Sequence, residues 1–194
     1  MRAGSKLVAG AALVLAFVSS AAFGREDLSA TDLRAFKPEA DTYVSAATPV
    51  TNFGSAPVLR VDGSPEATAY LRFRLRKLKG DIASVTLLLH ARAGARTSYQ
   101  VRPVRRDDWK ERRITYEKAP RLSLRYAASQ PVRRGSWSAV DVTPFIANDE
   151  GRISLAITTK SSLGVVFASR ESSHGPRLVV RTAETDGKTE RRAP

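Results

Sequence analysis

The chain has 194 residues, no cysteine, and 32 Lys and Arg against 19 Asp and Glu, a formal charge of +13. One domain of this size buries a sizeable core by packing alone, and the missing cysteines exclude disulfides and thiolate metal sites. Arg supplies 24 of the 32 cations, and its planar fork pairs bidentately with carboxylate, sulfate or phosphate, so the excess indicates an oxyanion-rich partner or a solvated basic surface.

From the N-terminus, Arg2 and Lys6 precede about a dozen apolar residues, Leu7 to Val18, and then the small residues Ser19, Ser20, Ala21 and Ala22. Residues 1–24 therefore read as a secretory signal peptide, the apolar run being too short to span a bilayer. That predicts an exported protein, extracellular or periplasmic, and no later stretch is apolar enough for a membrane span. Residues 25–38 carry no sustained period and read as a short lead-in with a helical turn after Ser29. Residues 183–194 are polar and charged, as in a disordered tail. Most of the charge belongs to residues 39–182, which hold 24 basic and 13 acidic residues.

Within that domain, nine stretches read as strands: 41–45, 57–62, 68–76, 82–92, 98–105, 137–143, 153–158, 164–170 and 177–182. Each is rich in β-branched or alternating apolar residues and is bounded by Gly, Pro, Ser or Asp. No long segment carries a 3.6-residue apolar stripe, so the fold class is all-β, an antiparallel β-sandwich of jelly-roll type.

The clearest strand, residues 69–78, reads AYLRFRLRKL. Leu71, Phe73 and Leu75 alternate with Arg72, Arg74 and Arg76, placing an apolar row inward and guanidiniums roughly 6.5 to 7 Å apart outward. Leu59 and Val61 face the core on the preceding strand, so a continuous hairpin places Arg60 on the same outer face as Tyr70, Arg72 and Arg74. Arg102, alternating with Val101, extends the patch if its strand lies nearby.

Six stretches resemble successive landmarks of the DNRLRE domain, also classed as carbohydrate-binding module family 96. They are ADTYV at 40–44, TNFGSAPVLRV at 51–61, YLRFRL at 70–75, DWKERRITYEKAP at 108–120, WSAVDVT at 137–143 and FASRESSHGPRLVV at 167–180. The resemblance implies a jelly-roll domain of secreted bacterial proteins, non-catalytic, with alginate and related acidic polysaccharides as ligands. Arg60, Arg72, Arg74, Arg76 and Arg102 are the residues that would hold such a polyanion. One departure is Arg74, where the family commonly has an acidic residue in an LRFDL-like strand.

Other candidates point elsewhere. Trp109 and Trp137 are the only tryptophans, and both read as packing residues rather than sugar-stacking platforms. Asp107, Asp108 and Glu111 alternate with basic residues and read as a solvated, self-paired loop. Glu39, Asp41, Asn52, Asp141 and Glu171 are oxygen donors near strand ends that could hold a structural calcium ion, and no other cofactor is required. His90 and His174 could serve a polysaccharide lyase beside an Arg or Asn, although nothing in the spacing joins them. Specific nucleic-acid binding is not expected of an exported protein. A structural or adhesive role on anionic envelope polymers is the main alternative to a glycan-binding module.

Overall fold

The computed structural model describes residues 32–94, 96–146 and 151–183. The predicted leader lies outside them, as does the predicted tail beyond Ala183. Among the described residues eleven strands follow one another: β1 Asp32–Phe36, β2 Ala40–Ser45, β3 Val58–Gly63, β4 Glu66–Leu75, β5 Asp81–Gly94, β6 Gln100–Pro103, β7 Ala127–Ala128, β8 Trp137–Asp141, β9 Gly151–Thr158, β10 Val165–Ala168 and β11 Arg177–Ala183. All nine predicted strands are present. Two more were not expected: the brief β7, and β1 within the supposed lead-in, which pairs with β11 from Asp32↔Thr182 to Phe36↔Leu178. Its pattern is weak because Leu33 and Ala35 face outward while Asp32 and Arg34 sit half-buried, the reverse of the usual alternation.

All the ladders are antiparallel, and they curl into a β-sandwich of the jelly-roll kind. One layer holds β1, β11, β5 and β8, and the other holds β2, β4, β9, β6 and β7. β10 joins them along one side, pairing with the end of β5 and with β3. The core between the layers is set by strand parity. Leu71, Phe73, Leu87, Leu89, Leu155, Ile157, Phe167 and Leu178 are all fully buried there. Each such side chain contributes about 1.5–3 kcal/mol by leaving water.

The second layer is covered on its outer side as well. Residues 104–122 cross over β2, β4 and β9, and Trp109 and Ile114 form a second apolar cluster with Ala40, Val44, Tyr70 and Ala156. That is why β2 is buried on both faces from Ala40 to Val44. The crossing segment is locked by polar contacts. Asn52 Nδ2 donates to the carbonyls of Glu111 at 2.8 Å and Ile114 at 2.7 Å, and Trp109 Nε1 donates to Ser154 Oγ at 3.1 Å. Gly54 completes the seat: a Cβ there would lie 2.2 Å from the Glu111 carbonyl oxygen. The outer face of the first layer, formed by Thr86, Leu88 and His90 with Trp137, Ala139, Arg177 and Val179, has no such cover among the described residues.

Candidate functional site

The predicted arginine face is divided by this architecture. Arg72 faces outward as expected, but the crossing segment lies on top of it. Its guanidinium sits 4.8 Å from the Trp109 ring centroid and donates to the Trp109 and Asp107 carbonyls. Arg102 is likewise engaged, bonded to Gln100 Oε1 at 2.8 Å and the Ser123 carbonyl at 3.2 Å, with the Tyr126 ring beside it. Arg60 does not join Arg72 and Arg74. The β3–β4 hairpin holds only two pairs before β9 takes over that edge of β4, and Arg60 is carried away to lie opposite Val166 of β10. Parity does turn Arg60 outward, but only continuous β3–β4 pairing makes it a neighbour of Arg72 and Arg74.

Arg74 stays outside the crossing segment. Across the β4–β9 ladder it faces Arg152, and both guanidiniums approach one carboxylate, Glu39 Oε1, at 3.2 and 3.5 Å. Both arginines are almost half exposed, so one carboxylate serves two cations. Arg76, Lys77 and Lys79 are exposed in the following turn.

From Glu39 the contacts run on to the uncovered face of the first layer. The Arg170 guanidinium donates to the Glu39 carbonyl. Arg170 also lines a shallow cleft with Lys37, Ser173, Gly175 and Arg177. Ser173 Oγ lies 2.9 Å from His174 Nδ1, and the His174 ring stacks on His90 at 4.7 Å between centroids. His90 in turn meets Trp137 edge-on at 5.2 Å. Trp137 is 41% exposed, whereas Trp109 is buried as expected. A chain of contacts through Glu39, Arg170 and the β10–β11 loop thus runs around the edge of the sandwich, linking the paired arginines on the outer side of the second layer to the cationic cleft and the aromatic platform on the first.

His90 Nδ1 is buried without a hydrogen-bond partner. Burial, with lesser contributions from His174 and Arg92, pulls the His90 pKa down, partly opposed by the Gly135 backbone. The platform was readable from parity. In WSAVDV, Val140 and Val142 face the core, so Trp137 shares the outer face with Asp141, and His90 lies outward between Leu89 and Ala91.

The oxygen donors expected to hold calcium divide as well. Asp141 is spent on Thr143, accepting from its backbone N–H at 2.9 Å and its hydroxyl at 2.5 Å. Glu39 is held by Arg74 and Arg152, and Asn52 clamps the crossing segment. Asp41 and Glu171 do converge, and they do so with Glu111, which the sequence placed in a solvated, self-paired loop but which the crossing segment carries to β2, where its Oε1 accepts from the Asp41 backbone N–H at 2.8 Å.

A two-layer antiparallel β-sandwich with an exposed tryptophan beside a cationic cleft has the form of a carbohydrate-binding module. A family comparison agrees: the model of carbohydrate-binding module family 96 matches residues 33–182, and the chain belongs to that family. No curated protein matches the chain. No helix among the described residues is long and apolar enough to cross a membrane.

Proposed function

We propose that the protein is an exported, non-catalytic module that binds an acidic polysaccharide along the path from Trp137 to Arg74. The chain of contacts that joins Trp137, the cationic cleft and the paired arginines around the edge of the sandwich is the observation that supports this reading. A uronate chain presents apolar sugar faces and regularly spaced carboxylates. The first suit the Trp137 ring, and the second suit Lys37, Arg177, Arg152 and Arg74. Arg74 and Arg152 share Glu39, so a ligand carboxylate entering there meets a surplus cation without displacing an existing pair.

Affinity electrophoresis through gels containing alginate, heparin or neutral glucan tests this. Trp137→Ala, and separately Arg74→Ala with Arg152→Ala, should each weaken retention in the anionic gels at least several-fold while leaving the melting temperature nearly unchanged. Retention equal to that of the unaltered protein in both variants would remove the path from the proposal. Retention that follows charge density alone, irrespective of the sugar, would favour a general adhesive role on anionic polymers. Appearance of unsaturated ends on incubation with alginate would reveal a lyase instead.

A further inference from the structure

β2, the crossing segment and the β10–β11 loop deliver three carboxylates to one point. One oxygen each from Asp41, Glu111 and Glu171 lies within 4.8 Å of the others. Asp41 is only 2% exposed. Its Oδ2 accepts from the Arg170 backbone N–H at 2.7 Å, while its Oδ1 is buried with no hydrogen-bond partner. We propose that Asp41, Glu111 and Glu171 form a binding site for a divalent cation of calcium's size.

Size, charge and donor chemistry agree. Calcium binds oxygens at about 2.3–2.6 Å, so two ligands on opposite sides of the ion stand roughly 5 Å apart, and three oxygens within 4.8 Å of one another can share its shell. Hard carboxylate donors without His or Cys suit calcium rather than zinc. The charge also balances. Arg170 offers one positive charge to Glu111 at 3.4 Å and Glu171 at 3.5 Å, which leaves two negative charges of the three unanswered when Asp41 is ionised. Those contacts are longer than the roughly 2.7–2.9 Å of a close charge-assisted bond, and the Arg170 side chain is 36% exposed. The guanidinium therefore lies toward the rim and leaves the buried Oδ1 unserved.

An ion at this point ties β2 to two segments remote in sequence, the crossing segment and the loop that lines the cationic cleft. The test needs no glycan, so its failure and that of the glycan path are distinguishable. Full-length protein stripped with EDTA is melted with and without calcium chloride, with magnesium chloride as a parallel arm. Calcium should raise the melting temperature saturably by several degrees, and magnesium should act more weakly. Asp41→Asn keeps the side-chain size and should abolish the response, Glu171→Gln should weaken it, and Asp141→Asn should retain it. If Asp41→Asn does not fold, Glu171→Gln, at an exposed position, carries the comparison. No calcium response in the unaltered protein at millimolar concentration, or an undiminished one in Glu171→Gln and Asp41→Asn, would overturn the site.

Discussion

Arg72 and Arg74 lie two residues apart on one face of β4, yet they do different work. Arg72 supports the crossing segment through the Trp109 ring and two carbonyls. Arg72→Ala should therefore destabilise the protein by about 2 kcal/mol, the scale of a desolvated cation–π contact with its hydrogen bonds. Arg74→Ala should stay within about 0.5 kcal/mol, since its exposed ion pair contributes little. Urea denaturation of the two variants checks this, and equal losses would contradict the division. His90 supplies a pH dependence. Its pKa is below the ordinary 6.5 in the folded protein, so the unfolded chain takes up the proton first as pH falls. Stability is fully present above about pH 6.5 and declines as pH drops through the window below it. Melting curves across that range should show a weaker acid slope in His90→Gln.

At the scale of elements, the crossing segment is the feature that decides which faces remain available. Trp109→Ala should cost about 3–5 kcal/mol, close to the value for Phe73→Ala in the main core, because each ring lies in its own buried cluster. The two variants should differ in how they open. Loss of Trp109 should speed tryptic cleavage at Lys110, Arg112 and Arg113 before global unfolding, whereas Phe73→Ala should not, and equal cleavage rates would contradict the separation. The strands were legible because parity repeats over many residues. The crossing segment was not, because DWKERRITYEKAP carries only scattered apolar residues and alternating charge. Its burial depends on Asn52 and Gly54, more than fifty residues earlier, meeting the Glu111 carbonyl.

At the scale of the whole molecule, the positive charge is spread over exposed groups that water and ions reach. Raising salt well above physiological strength, where the screening length is already about 8 Å, should strip the protein from an anionic glycan column. The melting temperature should change far less over the same range, because the core is apolar; parallel loss of both would contradict a stability independent of that charge.

By itself the sequence determined the all-β class, nine of the strands, the core rows and the family, since each rests on local periodicity or on motif order. Only the tertiary structure decided which cations remain free and which carboxylates meet. Arg60 left the patch because its hairpin ended after two pairs, Arg72 and Arg102 were taken up by loops, and Glu111 reached Asp41 and Glu171 from far along the chain. Register tells which way a side chain points, whereas neighbours across sheets and loops are set by long-range pairing that no local pattern records.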